Sequence, residues 1–298
     1  LRWYFASDEA GGLGSNGAHA KLAVLSALHV GGLTPVLLYY GAPTEFTSWM
    51  TAHGVTVLPV EPSFIDAINA AGAAGTFRPH SIGHWLRIAI PRIETTDEFV
   101  LYTDCDVVFL RGFQWGSLRP RLFAAAPEFR RDNWNYFNSG VMLLNIPAMQ
   151  QSAAAFETLI RAGIGDATGH DFDDQIALNR AYRGNWQKLD PICNWKPYWP
   201  YQPQAALLHF HGPKLDSLEA IAAGHWRRDN PTAETLARLL DVHIDSYITW
   251  CGVLGDALQA VDLTACLRFH RLASALLRYK TTITPNQDMS FMNIKMFG

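Results

Sequence analysis

The sequence predicts an α/β protein built on a mostly parallel central sheet flanked by helices. Three observations point there. Apolar β-rich runs alternate with helically patterned segments along residues 2–209, the signature of strand–helix–strand units. The run Phe99-Val-Leu-Tyr-Thr103 ends in Asp104-Cys105-Asp106, and open α/β sheets gather ligands at the carboxyl ends of their strands. The chain has 298 residues and a hydrophobic fraction of 49%, ample for one large core, or for one domain plus an extension.

Arg2 to Ala6 reads as the first strand, closed by Ser7-Asp8-Glu9 and a glycine-rich turn. Ala18 to Val30 reads as a helix, because Leu22, Leu25, Ala27 and Leu28 recur at helical spacing. Thr34 to Tyr40 is a buried strand stopped by Gly41-Ala-Pro43, Glu45 to His53 a short helix, and Val55 to Val60 a third strand. Ile82 to Ile93 reads as a helix with Pro91 near its end, leading into the strand Phe99 to Thr103. Leu122 to Ala126, Ser139 to Asn145 and Ala206 to His209 are further strands, with helices over Ser152 to Ala162 and Asp173 to Ala181. After about Leu218 the chain reads as helices only, with no internal repeat or low-complexity tract.

Asp104 and Asp106 stand two positions apart at a strand end, so both point the same way. Together they can reach one hard divalent cation, which prefers oxygen ligands and can in turn hold phosphate oxygens. The pair therefore suggests a metal–diphosphate site and an enzyme acting on a phosphorylated substrate.

A net charge of −3 argues against a general nucleic-acid binder. Cys105, Cys193, Cys251 and Cys266 form no C-x-x-C, which disfavours zinc and suits a reduced, cytoplasmic protein better than a disulfide scaffold. No apolar run approaches the ~20 residues needed to span a bilayer, and no signal peptide is visible. Two other motifs compete. Gly12-Leu-Gly-Ser-Asn-Gly17 matches the dinucleotide fingerprint, but Asp8-Glu9 intervene after the strand, and the second strand ends in Tyr39-Tyr40-Gly41 rather than an acidic residue. Asp104-x-Asp106-Val also suits a haloacid-dehalogenase phosphatase, which places its pair on the first strand, whereas several elements precede it here.

Taken in order, Phe5-Ala-Ser-Asp8, Trp85-Leu-Arg87-Ile-Ala-Ile-Pro91 with Phe99-Val-Leu-Tyr-Thr-Asp-Cys-Asp-Val-Val-Phe109, Tyr136-Phe-Asn-Ser-Gly-Val-Met-Leu-Leu-Asn145, Asp174-Gln-Ile-Ala-Leu-Asn179 and His209-Phe-His-Gly-Pro-Lys214 resemble the family-8 glycosyltransferases. That group contains glycogenin and bacterial lipooligosaccharide galactosyltransferases. The resemblance covers roughly residues 3–215 and implies a GT-A fold with a Rossmann-like nucleotide-binding half. It also implies a UDP-sugar donor carrying galactose or glucose, Mn²⁺ (or Mg²⁺), and retention of anomeric configuration. The acceptor would be a saccharide, lipid-linked or protein glycan. A non-catalytic sugar- or nucleotide-binding module derived from a transferase is the alternative, separated from the enzyme by turnover.

The resemblance assigns roles residue by residue. Asp104, Asp106 and His209 would hold the metal, a donor set that suits Mn²⁺. Ala6 and Asp8 would meet the nucleotide, and Arg87, Gly212 and Lys214 the diphosphate and sugar. His-Phe-His-Gly-Pro-Lys is one residue shorter than the usual family spacing, and His211 is a second candidate contact. Asn138 would bind donor hydroxyls, Asp174 the same sugar, and Gln175, oriented by Asp174, would lie beneath the anomeric centre. Among Asp171, Asp173 and Asp174, one is expected only to cap the helix. The aromatic stretch Asn194-Trp-Lys-Pro-Tyr-Trp199 is a candidate acceptor platform or a packed loop.

The expected organisation is a transferase domain over residues 1–230 and a helical extension over 231–298. Leu263, Cys266, Leu267, Leu276 and Leu277, interleaved with Arg268, Arg271, Arg278 and Lys280, form a basic amphipathic segment. It would pack on the catalytic domain, pair with a second copy in a homo-oligomer, or lie peripherally on an anionic membrane.

Overall fold

The computed structural model describes residues 1–77, 81–166 and 172–283. In chain order, β1 (Arg2–Asp8) is followed by α1 (Glu9–Leu13), α2 (Ser15–Val30), β2 (Thr34–Tyr40), α3 (Glu45–Ala52), β3 (Thr56–Pro59) and α4 (Ile65–Ala74). A 3-10 turn, Gly83–Ala89, leads through α5 (Ile90–Ile93) into β4 (Phe99–Thr103), then β5 (Val107–Phe109), β6 (Phe123–Pro127) and β7 (Phe137–Asn145). Next come α6 (Ile146–Asp166), α7 (Asp174–Ala181), β8 (Gln187–Lys188) and a second 3-10 turn, Pro191–Asn194. β9 (Leu207–His209) precedes α8 (Leu215–Ala222), α9 (Pro231–Val242), α10 (Ile244–Leu258) and α11 (Leu263–Lys280).

Leu1–Val24, Gly32–Cys105 and Gln114–Pro191 form one compact unit. Its seven strands run in the order β3-β2-β1-β4-β7-β6-β8. β3, β2, β1 and β4 are mutually parallel, β7 runs antiparallel to both β4 and β6, and β8 is parallel to β6. The expected mostly parallel sheet is therefore present. The order reverses at β1, whose neighbours are β2 and β4, so the carboxyl ends of β1 and β4 mark the switch point where ligands collect. Asp8 and Asp104 stand at those two ends. β2 is apolar over Val36-Leu-Leu-Tyr39 without alternation because helices cover both faces of a parallel sheet. On one face Tyr4, Leu38, Tyr102 and Met142 pack with Trp85 of the 3-10 turn, Ile68 of α4 and Phe156 of α6.

The patterning diverges from the fold in particular places. The glycine-rich stretch, expected as a turn, is helical, and its glycines serve close approach. A Cβ on Gly17 would lie 2.0 Å from the Gly12 carbonyl oxygen, and one on Gly12 would lie 2.6 Å from the Phe46 ring. The segment expected as a helix over 82–93 is mostly a 3-10 turn. α4 and β5 fall where no element was expected.

One buried carboxylate braces this unit away from the switch point. Glu94 accepts hydrogen bonds from Arg2 Nη1 at 2.9 Å, Tyr4 Oη at 2.7 Å, and the amides of Thr96 at 2.5 Å and Asp97 at 3.0 Å. Burial opposes its charge, but these donors win and bring its pKa down to about 2.

The second unit comprises residues 25–31, 106–113 and the chain from Ile192 onward. β5 and β9 pair antiparallel within it, with Val107 opposite His209. Tyr247, Trp250 and Leu254 of α10, and Phe269, Leu272 and Leu276 of α11, are buried. α11 contacts α10 and α8, and Arg268 binds Glu219 of α8 through Nε at 2.7 Å. The apolar face of the basic amphipathic segment is thus a packing face, while Leu263, Leu267 and Leu277 remain exposed. Among the described residues no helix is long and apolar enough to cross a membrane. None of the four cysteines is in a disulfide.

Candidate active site

The end of β4 is held by its neighbour: the Asp104 amide donates to the Gly140 carbonyl of β7 at 2.8 Å. The Asp104 carboxylate accepts from Tyr102 Oη at 3.1 Å and from Arg87 Nη2 at 2.7 Å, both on Oδ1. Arg87 is buried, and its guanidinium lies 4.4 Å from the centre of the Tyr102 ring. Nη1 donates to the Ser139 carbonyl at 2.6 Å and to its hydroxyl at 3.0 Å, and Nε donates to the His84 carbonyl at 3.2 Å. Arg87 was expected to meet a diphosphate; within the protein its fork clamps Asp104 and β7.

The same guanidinium reaches Asp174, whose Oδ2 lies 2.9 Å from Nε. That contact is an ion pair without hydrogen-bond geometry, because the Nε–H points at His84; Asp174 Oδ2 is buried with no hydrogen-bond partner. Burial therefore dominates and lifts the Asp174 pKa to about 6, with Arg87 opposing and Asp173 and Asp104 adding to the rise. Asp173 is the capping residue of α7, its Oδ1 accepting from the Ile176 amide at 2.7 Å. Asp171 lies outside the described residues.

Gln175 turns away from Asp174 and is oriented by other groups. Its Oε1 accepts from the Ser139 amide at 2.8 Å and from Asn138 Nδ2 at 3.1 Å, while its Nε2 donates to Glu128 Oε1 at 2.7 Å. A backbone amide can only donate and an ionised carboxylate only accept, so the two ends of the Gln175 amide cannot exchange. Asn138 Oδ1 accepts in turn from the Gly140 amide at 3.2 Å. The orientation of Gln175 by Asp174 expected from sequence is thus replaced by orientation through Asn138, Ser139 and Glu128. Ser139 lies inside the 136–145 motif but with no role assigned to it, and Glu128 lies in no motif.

In the second unit, the β5–β9 register sets His209 beside Asp106, with Nε2 3.4 Å from Oδ1. His209 Nδ1 bonds Asn194 Oδ1 at 2.9 Å. Asn194 Oδ1 is an acceptor, so Nδ1 donates to it, and Nε2 is the ring nitrogen that faces Asp106. Lys214 Nζ donates to Asp106 Oδ2 and to the Phe210 carbonyl, the latter at 2.8 Å. Lys214 and His209 together hold the buried Asp106 carboxyl well below the usual carboxylate range, although burial itself pushes the other way. Asp104 and Asp106 are separated by Cys105 alone, so covalent geometry keeps them together. Asp104, Asp106 and His209 each offer a ligand atom within 4.8 Å of the others. Two carboxylates and an imidazole whose far nitrogen is anchored form a donor set that suits a divalent cation such as Mn²⁺.

The remaining candidates take clear places. Asp8 caps α1 and staples the loop before the 3-10 turn, accepting from the Gly11 amide at 2.8 Å, Ser81 Oγ at 2.6 Å and the Gly83 amide at 3.0 Å. Burial disfavours its charge, but these bonds prevail and lower its pKa. The Ala6 carbonyl, on β1, accepts from Cys105 Sγ at 3.1 Å. Gly212 has φ +105°, and a Cβ there would come within 2.8 Å of Leu239, so glycine is required. His211 Nδ1 pairs with Tyr198 Oη at 2.9 Å and is not one of the metal-capable group. Trp195, Tyr198 and Trp199 are buried, so the stretch 194–199 is a packed loop, not an exposed platform.

No protein-family model matches the chain, and no curated protein matches it in sequence. Solved structures do. A galactosyltransferase, LgtC, crystallised with donor and acceptor sugar analogues, superposes with a TM-score of 0.55 at 18% identity, over 80% of this chain and 95% of that one. The glycosyltransferase GlyE of Streptococcus pneumoniae gives a TM-score of 0.53 at 18% identity, over 80% of this chain and 59% of that one. Mouse xyloside xylosyltransferase 1 gives 0.51 at 15% identity, over 70% of this chain and 96% of that one. The fold is that of the GT-A glycosyltransferases.

Proposed function

We propose that the chain is a retaining glycosyltransferase of the family-8 type that moves a hexose, galactose or glucose, from a UDP-sugar to a glycan acceptor. The observation that carries the reading is the Asp104–Asp106–His209 donor set, placed on a fold shared with glycosyltransferases. A divalent cation held there would stabilise the charge that develops on the leaving diphosphate. Lys214, already paired with Asp106, adds a compact positive charge for the same phosphates. Ala6 and Asp8 back the nucleotide end of the site, Asp8 through the loop it staples. Gly212, held at φ +105° against Leu239, would shape the turn that presents Lys214.

In this reading Arg87 is a positioning residue. It couples Asp104 on one side to Asp174 on the other, so the metal carboxylate and the sugar-contacting carboxylate share one cation. Gln175 and Asn138 then form a fixed amide pair at the donor sugar. An active-site variant of LgtC exchanging glutamine for glutamate gives that assignment a parallel. Residues 1–230 would carry the transfer machinery and the chain from 231 a helical extension for membrane or subunit contacts, of which 284–298 lie outside the described residues.

The deciding measurement is turnover of UDP-galactose and UDP-glucose with Mn²⁺, Mg²⁺ and EDTA. Hydrolysis or transfer that vanishes with chelator and returns with Mn²⁺ is expected, and an α-donor should give an α-glycoside by NMR. Full activity in EDTA would sink the metal role. Binding of UDP-sugar without any turnover would leave a non-catalytic module.

A further inference from the structure

Trp134 sits in the loop between β6 and β7, between Asn133 and the exposed Asn135, and is itself half-buried. It lies outside the hydrophobic cluster that packs the sheet, whereas Trp186 packs against that cluster. The two indoles face one another with centroids 5.9 Å apart and planes inclined by 31°. Trp186 is backed by Phe137 at 5.1 Å, so one ring of the pair is anchored and the other is presented on the loop. Lys188 carries its ammonium 4.7 Å from the centre of the Trp134 ring.

The pair adjoins the groups assigned to the reacting centre. Tyr136 neighbours Gln175, and Asn138 donates to the Gln175 amide. Trp134 lies four residues before Asn138, and Phe137, next to Asn138, packs on Trp186, so the aromatic pair stands beside the segment that carries Asn138. A partly exposed Trp among asparagines with no core role calls for a ligand that suits both an apolar face and a polar rim. A pyranose ring is such a ligand: its C–H face lies on an indole while its hydroxyl edge meets amides and an ammonium. The other aromatic-rich stretch, 194–199, is buried and cannot serve.

We propose that Trp134 and Trp186, rimmed by Asn135 and Lys188, form the subsite for a sugar ring of the acceptor glycan. This rests on the transfer reading above. The ligand is a neutral saccharide, since paired indoles suit the C–H face of a sugar ring and Lys188 already stands by the Trp134 ring.

The test uses the full chain with maltose, cellobiose and lactose as probes, first without donor, followed by saturation-transfer NMR and tryptophan fluorescence. At least one disaccharide should bind and perturb indole fluorescence. Trp134→Ala, in a loop outside the core, should weaken its Kd by about tenfold or more, and Trp134→Phe should restore most of the affinity. With a UDP-sugar present, the acceptor KM should rise by a similar factor in Trp134→Ala. No binding by any probe, or binding indifferent to Trp134→Ala in a protein that melts like wild type, overturns the subsite. Trp134-dependent saccharide binding without turnover would keep the subsite and reject the transfer reading. Turnover whose acceptor KM ignores Trp134 would do the reverse.

Discussion

Glu94 and Asp174 are buried to nearly the same degree, at 0% and 4% exposure, yet their acidities move in opposite directions. Glu94 is met by Arg2, Tyr4 and two backbone amides, and its pKa falls to about 2. Asp174 has Arg87 alongside but no hydrogen bond on Oδ2, and its pKa rises to about 6. Burial therefore does not separate a structural carboxylate from a functional one; the supply of donors does. A carboxylate left short of donors keeps bonding capacity for a ligand, and in the proposed reading substrate hydroxyls would be the donors this one lacks.

The comparison breaks first at Asp174. Asp174→Asn should cut turnover by about a hundredfold or more while UDP binding stays nearly intact, the pattern of a group acting mainly in the transition state. Equal losses in both would move Asp174 into the nucleotide site or the fold. Its effect on stability has a definite sign. The folded pKa is raised above that of an unfolded Asp, so the contribution is fully present below about pH 3.8 and is lost as pH rises through about 6. In chelator, denaturant melts should show Asp174→Asn gaining on wild type between those pH values.

Glu94→Gln should do the opposite. Its folded pKa is depressed, so its contribution is present above about pH 4.5 and lost as pH falls through about 2. The variant should be less stable by roughly 2–4 kcal/mol at pH 7, because a Gln amide would set N–H groups against existing donors. That deficit should shrink in acid. Kinetic constants of the folded fraction should not change. A deficit independent of pH would mean that packing, rather than charge, is what Glu94 supplies.

Glu128→Gln sharpens the comparison at smaller scale. Glu128 fixes which end of the Gln175 amide faces Ser139. With a Gln there the partner can donate as well as accept, so the orientation is no longer enforced. Turnover should fall about tenfold with donor KM within threefold, a split expected of about 1.4 kcal/mol lost in the transition state. An unchanged kcat would remove Glu128 from the positioning set.

Sequence patterning located β1, β2 and β4 well because strands buried on both faces read as unbroken apolar runs. It singled out Asp104 and Asp106, two of the metal-capable group, because they stand two positions apart in sequence and need no tertiary information. It missed β5, three residues long, and with it the register that brings His209 to Asp106. The partner of His209, Asn194, sits in a stretch that reads as aromatic packing. The glycines of α1 and α2 look like a turn because intrinsic propensity opposes helix, and tertiary contact with Phe46 overrides it. The partners of Gln175 come from two other segments of the unit, and no spacing rule joins them.

Asp8 carries the smallest expected effect and the sharpest use of the donor criterion. The family resemblance assigns it to the nucleotide, but its carboxylate already accepts from Gly11, Ser81 and Gly83, and its pKa is lowered. By donor supply it belongs with Glu94 and not with Asp174. Asp8→Asn keeps an acceptor for one of these donors and loses the charge and the second oxygen. The loss should be about 1 kcal/mol, the scale of a helix cap. Donor KM should stay within threefold of wild type, because the loop before the 3-10 turn shifts little. A tenfold rise in donor KM with the melting temperature unchanged would show that Asp8 binds the nucleotide directly. A satisfied carboxylate would then be able to serve a ligand as well, and donor supply would no longer sort structural from functional acids in this fold.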